Sequence, residues 1–276
     1  MPSRTNIEPE SFTVAGHTMP LLPRQVRQQV IGAERAALSC RINRSALPPD
    51  LEAADRRADD LLHAPVQLST HFRKDERLDS QAREAGTISR ADVLRIAAAL
   101  PAEPSDDALR TFLVNVHAWS YGPVGFGYSQ TMKVQAALNL AQHSASAGRA
   151  LRSLGPTAAY ASLYNGEETG SRGLLRVDGW GPALFTKYLY FIDPQNQPDT
   201  LRTRPTALIL DRTVAVAVNS IVPFKPLGAF GLNGWTAPQY AFYTALMARI
   251  AGELSTPTTT VGPWMVEAAI SEHYRG

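Results

Sequence analysis

The sequence predicts a mostly α-helical protein, and three observations carry that reading. Apolar residues recur at helical spacing, most clearly at Leu109, Phe112, Leu113 and Val116 within Ser105–Trp119. Helix-start signals recur too: proline opens several periodic stretches, and Ser89 is followed by Asp92 at the spacing of a capping box. Candidate strands are scarce, and the strongest, Ala215–Val218, is short and fits a helix equally well. A hydrophobic fraction of 44% and a charged fraction of 19% over 276 residues are ordinary globular values, so wholesale disorder is excluded. No internal repeat occurs.

Taken in order, residues 1–22 read as a loose N-terminal arm. Residues 23–105 form an N-terminal helical region. Pro23–Leu38 and Pro49–Leu62 have helical periodicity with proline near the start, and a third helix runs from Ser89 to Leu100 with Ser89 as its N-cap. Ser105–Trp119 follows. Tyr121–Tyr128 reads as a glycine-rich aromatic loop, and Thr131–Ala147 and Pro156–Tyr164 again read as helices.

Composition removes several function classes. The one cysteine, Cys40, excludes a disulfide framework, an all-cysteine zinc site and a four-cysteine iron–sulfur cluster. The six histidines include no pair at metal-ligand spacing, so neither a metal nor another cofactor is expected. The first twenty residues lack the apolar core of a secretory signal. The long uncharged stretches Thr111–Met132 and Pro226–Ala248 are broken by Pro and Gly, so no membrane association is expected. The expectation is a soluble, cytoplasmic monomer. With 23 Arg against 4 Lys and a net charge of +2, the basic bias is mild.

The informative stretch begins at Leu174. A helix ends at Gly179, the chain turns on Gly179-Trp180-Gly181, and a second helix starts with Pro182 in its first position. Amides of such a turn and the positive end of the following helix dipole make an anion site, and a DNA phosphate is a natural occupant. An αα-hairpin with no ligand is the plainer alternative. Lys187 is the sole charged residue between Asp178 and Asp193, and its helical neighbours Ala183, Leu184, Tyr190 and Phe191 are small or apolar. An amine held there is desolvated and easier to deprotonate, as a nucleophile requires, unless it snorkels to solvent. The apolar run Ala207–Leu210 then delivers Asp211 to the start of another helix. There it serves as a simple N-cap, as a carboxylate beside a reacting centre, or as both.

A Gly-x-Gly hairpin, a lysine in its second helix and an Asp opening a helix after an apolar run together resemble the helix-hairpin-helix DNA glycosylases. Within them the chain is similar to a bacterial group with the 8-oxoguanine DNA glycosylase fold, through the segments GPALFTKYLYF and LILDRTVA. Trp235-Thr236, Tyr240, Tyr243 and a closing helix with Val266-Glu267 are also similar. The resemblance covers residues 106–276, which become a helix-hairpin-helix glycosylase domain. It implies two helical subdomains with a cleft between them, and an enzyme that flips a modified base out of double-stranded DNA and excises it to leave an abasic site.

Carried over residue by residue, the resemblance places Gly179, Trp180, Gly181 and Ala183 on a DNA phosphate. Asp211 then stabilises the oxocarbenium-like sugar, and Lys187 lines the pocket. Candidates for contact with the base are Trp119, Tyr121, Phe126, Tyr128, Phe191, Trp235 and Tyr240; a role in the core is the plainer reading of such aromatics. The chain departs from the pattern at Asp178, where such hairpins usually carry proline. It departs again at Ala183, where the bifunctional enzymes keep their Schiff-base lysine. Lys187 lies one helical turn, about 5.4 Å, further on. Hydrolysis without a Schiff base is therefore the expectation, and lyase action the alternative. The room left at Ala183 points to a hypermodified phage base, such as glucosylated hydroxymethylcytosine, and to a role in antiviral defence. Repair of 8-oxoguanine is the alternative substrate, and a non-catalytic DNA-binding hairpin module is the alternative from another class.

Overall fold

The structure, a computed structural model, describes residues 11–14, 17–20, 24–54, 56–101, 103–138, 147–148, 150–152, 154–164, 176–193, 207–228 and 234–275. It is mostly helical, as the sequence predicts. A small antiparallel hairpin, β1 (Ser11–Val14) and β2 (His17–Pro20), stands where a loose arm was expected. Then come α1 (Arg24–Ser39), α2 (Ala58–His63), a two-residue pairing of β3 (Val66–Gln67) with β4 (Thr87–Ile88), and the short α3 (Thr70–Arg73) and α4 (Ser80–Ala85). Further helices are α5 (Arg90–Ala98), α6 (Asp106–Tyr121), α7 (Phe126–Ala137), α8 (Pro156–Leu163), α9 (Pro182–Ile192), α10 (Arg212–Ile221), α11 (Ala237–Leu254) and α12 (Pro263–His273), with helical residues also between 147 and 154.

Several starts are set by the side chains named in the sequence. Ser89 and Asp92 close the capping box at α5, with Ser89 N donating to Asp92 Oδ2 at 2.8 Å. Ser105 Oγ accepts from Ala108 N at the head of α6, and Asp211 Oδ1 accepts from Val214 N at the head of α10. A second complete box, Thr236 with Gln239, opens α11 and was legible at the same spacing.

Four segments differ from the sequence reading. Pro49–Leu62 is not one helix: a 3-10 turn at Leu51–Ala53 precedes α2, and the buried Leu51, Ala54 and Ala58 show that packing, rather than helical periodicity, sets this segment. Tyr121–Tyr128 is not a loop. Helix α6 runs through Tyr121, α7 begins at Phe126, and Gly122 at φ 56° makes the turn between them. Gly127 matters for packing rather than freedom: a Cβ there would lie 2.4 Å from Tyr121 Cγ, so α7 sits against that ring only because the side chain is absent. The helix placed at Thr131–Ala147 therefore starts earlier and ends at Ala137, and residues 139–146 lie outside the described residues. Ala215–Val218, which fits a helix as well as a strand, lies in α10, in agreement with the helical alternative. Of the hairpin's first helix, residues 165–175 lie outside the described residues, and Arg176 and Val177 are not helical.

The layout crosses the boundary drawn near residue 105. Helix α1 packs along α11, α2 meets α12, and α5 packs against both α6 and α9. Arg249 of α11 donates from Nη1 to Cys40 O at 2.7 Å and Ala37 O at 3.2 Å, placing a cation on the carbonyls that end α1. Helix α6 runs through the interior, with Leu109, Phe112, Leu113 and Val116 all at most 1% exposed. None of the described helices is long and apolar enough to cross a membrane.

Gly127→Ala is expected to destabilise the fold by about 1–3 kcal/mol, the usual cost of overpacking. Gly125→Ala, whose Cβ would meet nothing within 4 Å, is its control. Urea midpoints compare the two, and equal losses would remove the contact with Tyr121 as the reason for glycine.

Candidate active site

The site is assembled by an irregular buried run, Ala207–Leu210, in which every residue is at most 2% exposed. Buried backbone needs hydrogen-bond partners, and here side chains supply them. Tyr240 Oη accepts from Leu208 N at 3.0 Å and donates to Leu208 O at 2.9 Å. Tyr243 Oη donates to Ile209 O at 2.7 Å, and Thr186 Oγ1 accepts from Leu210 N at 3.1 Å while donating to Pro182 O. Thus α9 and α11 hold the run that presents Asp211.

Lys187 follows Thr186 on α9, and its side chain is 9% exposed. Its Nζ lies 3.6 Å from Asp211 Oδ2, donates to Ser120 Oγ at 3.0 Å, and sits 5.9 Å from the centre of the Trp119 ring. Burial pulls the amine below the usual lysine range; the Asp211 carboxylate opposes that pull, and the positive charge of Arg275 adds to it. A buried lysine–carboxylate pair contributes little net stability for its desolvation.

A second buried pair adjoins the first. Arg90 of α5 donates from Nη1 to Glu267 Oε2 of α12 at 3.1 Å and to Tyr190 Oη at 3.3 Å. Arg90 Cζ lies 5.4 Å from the same Trp119 ring. Burial raises the Glu267 carboxyl, and Arg90 pulls it back toward its ionised form. Neither Arg90 nor Glu267 emerged as a site residue from the sequence. Glu267 carried a signal, a lone acid among Trp264–Ile270; Arg90 carried none, because it looks like the first residue after a cap. Ser120 was equally silent.

The hairpin turn lies on the surface. Gly179 has φ 80°, and its carbonyl accepts from Gln130 Nε2 of α7 at 2.9 Å. Gly181 caps α9 with an ordinary φ of −79°. The amides of Gly179, Gly181 and Ala183 have no partner among the described residues. Trp180 does not share that face. Its amide donates to Val177 O, and its ring is 2% exposed, edge-on to Tyr188 at 5.2 Å. Asp178, in the usual proline position, is exposed and pairs with Arg176 at 2.7 Å.

The base-contact candidates separate by burial. Phe191 and Tyr240 are core residues at 1% and 0% exposure; Phe191 meets Trp119 edge-on at 5.1 Å, and Tyr240 stacks on Tyr160 at 4.2 Å. Tyr240 is thus corrected from a pocket candidate to a backbone partner of Leu208. Trp119 and Trp235 are nearly buried, at 7% and 9%. Tyr121 and Tyr128 are half-buried, and Phe126 is 66% exposed at the head of α7, the helix that carries Gln130. No group of three His, Cys, Asp or Glu able to hold a metal ion occurs among the described residues.

His117 lies on α6 three residues before Ser120 and is fully buried. Thr131 Oγ1 donates to Gly127 O at 2.8 Å, which leaves its lone pair for His117 Nδ1–H at 3.0 Å. Burial, with the charge of Lys187 nearby, pushes this imidazole down to about 3.

Gly181→Val tests the phosphate role cleanly, because a Cβ at Gly181 would meet nothing within 4 Å of the protein. The variant is expected to fold normally and to bind all DNA sequences more weakly, since phosphate contacts carry no base information. Unchanged affinity in a filter-binding assay would remove the hairpin from the interface. For His117, the unfolded chain takes a proton below about 6.5, whereas the folded protein resists until about 3. Acidification through that window favours unfolding, by about 1.4 kcal/mol per pH unit for one group. His117→Asn keeps a donor for Thr131 and should flatten that slope between pH 6.5 and 5. An equal slope in both proteins would show that another group titrates.

The family model described as "Putative 8-oxoguanine DNA glycosylase OGG-like protein" matches residues 24–270. The match begins at α1, well before the residues 106–276 to which the sequence resemblance was confined. Among curated proteins and among solved structures nothing matches. Spanning both the hairpin and the helices on either side of it, this match means that the chain belongs to the 8-oxoguanine DNA glycosylase OGG-like family.

Proposed function

We propose that the chain excises a modified base from double-stranded DNA, with Lys187 as the attacking amine and Asp211 as the carboxylate that stabilises the sugar. The observation that carries this reading is the buried Lys187 Nζ–Asp211 Oδ2 approach of 3.6 Å, next to a hairpin whose Gly179, Gly181 and Ala183 amides have no partner among the described residues. A pure binding module has no use for a desolvated lysine–carboxylate pair, and a carboxylate beside a phosphate site weakens affinity for DNA. In the reaction the neutral amine donates its lone pair to the anomeric carbon as the glycosidic bond breaks. The base leaves with that bond's electron pair, and the proton lost by the attacking nitrogen passes through Asp211 to neutralise it. Positive charge develops on the sugar, where a fixed carboxylate lowers the barrier. Burial of Lys187 favours the neutral amine, which shifts the preference from hydrolysis to a Schiff base.

The family's description supports an oxidised purine as the substrate. A hypermodified phage base, with a role in antiviral defence, is the second reading. It draws support from the small side chain at Ala183, only partly covered at the start of α9. Its aromatic platform is weaker than the sequence suggested, since Trp119, Trp235 and Tyr240 are all at most 9% exposed. Phe126 is the exposed aromatic best suited to enter the gap left by an extruded base.

Borohydride trapping on duplexes with 8-oxoguanine, run beside phage DNA with glucosylated hydroxymethylcytosine, tests both parts. A covalent adduct with the 8-oxoguanine duplex that vanishes in Lys187→Ala is expected. Asp211→Asn, which keeps a good N-cap, should lose about 10²–10³-fold in base release while binding DNA. Full excision by Asp211→Asn would overturn the assignment, and cleavage confined to the phage DNA would select the second substrate.

A further inference from the structure

The site as described leaves a fully buried ion pair without a task. Arg90 and Glu267 are 5% and 1% exposed, come from α5 and α12, and lie far apart in sequence. A buried pair of this kind is weak evidence for stability, since apolar residues of similar size commonly do as well. Its position is informative. Arg90 lies over the Trp119 ring at 5.4 Å and over Tyr190 at 4.9 Å, and Lys187 lies over the same Trp119 ring at 5.9 Å. Two cations and two carboxylates are therefore gathered around one indole.

We propose that Arg90 is a positioning residue that claims Glu267, so that Lys187 is left with Asp211 as its only close counterion among the described residues. The reading rests on Lys187 as the attacking amine. Two carboxylates beside one lysine would hold it as an ammonium, which cannot attack; a carboxylate already matched by a guanidinium exerts much less of that pull. Arg suits the task because it stays charged in any protein environment; its burial, the largest single effect, is outweighed only by Glu267 and Tyr190 acting together through charge and hydrogen bonds. The other groups facing Lys187 are Asp211, Arg275 and the neutral His117, and those facing Glu267 are Asp211 and Arg275 besides Arg90. With Lys187 neutral, Arg90 balances Glu267, and Asp211 stays beside the amine to face the cationic sugar.

The test reads Lys187 directly. Protein carrying lysine labelled with ¹³C at Cε and ¹⁵N at Nζ has four lysine signals, from Lys74, Lys133, Lys187 and Lys225. Lys187→Met assigns one of them, and its titration midpoint is followed by NMR. Arg90→Gln should move the midpoint up by about one pH unit, and Glu267→Gln should move it down. The double variant should return toward the wild-type value, and Arg90→Lys should stay close to it. The acid limb of the borohydride-trapping rate should move with the same signs. If Arg90→Gln fails to fold, Glu267→Gln and the double variant decide the matter. A Lys187 midpoint unmoved in Glu267→Gln, with only thermal stability altered, would reduce the pair to a structural tie. Absence of trapping by the wild-type protein would refute the attacking amine, whereas the titration would still decide the role of Arg90.

Discussion

A stretch of irregular backbone buried in a helical interior has to find hydrogen-bond partners away from any sheet, and Ala207–Leu210 finds them in hydroxyl groups. Each unmet group would cost about 1–3 kcal/mol, so the geometry is not negotiable. Tyr240 and Tyr243 of α11 and Thr186 of α9 are fixed to satisfy it. The residue after Thr186 is Lys187, and the residue after Leu210 is Asp211. One hydrogen bond, Leu210 N to Thr186 Oγ1 at 3.1 Å, therefore sets the lysine against the carboxylate. The surrounding tyrosines are held in their protonated form by burial, which keeps them donors to the backbone.

The same burial gives the site its electrostatic character. Ser120, Trp119 and Asp211 surround the Lys187 amine, and its desolvation is what distinguishes it from a surface lysine. The hairpin is the opposite case. Gly179 and Gly181 are exposed, their amides are unpartnered among the described residues, and the adjoining Trp180 turns inward to anchor the turn. A dry amine at Lys187 and an exposed turn at Gly179–Gly181 thus lie within ten residues of each other on one helix and its cap.

The ends of the chain close the site from behind. Helix α1 lies along α11, and α5 reaches α9, so residues before 105 help form the wall behind Lys187. Arg90 makes the point most clearly: it follows a capping serine that was legible, yet its side chain pairs with Glu267, 177 residues away. The start of the family match at residue 24 accords with this interleaving.

By itself, the sequence determined what rests on local chemistry. The caps at Ser89, Ser105 and Asp211, proline at the head of α9, and the buried stripe of α6 all follow from side chains within a turn of the atoms they serve. Lys187 and Asp211 were legible for local reasons too: Lys187 is a lone charge among apolar and aromatic neighbours, kept only with a partner, and Asp211 ends an apolar run at a helix start. Tertiary structure alone decided which aromatics face solvent, that Tyr240 bonds the backbone of Leu208, and that Arg90 and Lys187, with their partners Glu267 and Ser120, share the Trp119 ring. Periodicity assigns a residue to a helix face, but the element covering that face is chosen by packing between segments far apart in the chain. Long-range pairing of that kind leaves no spacing to read.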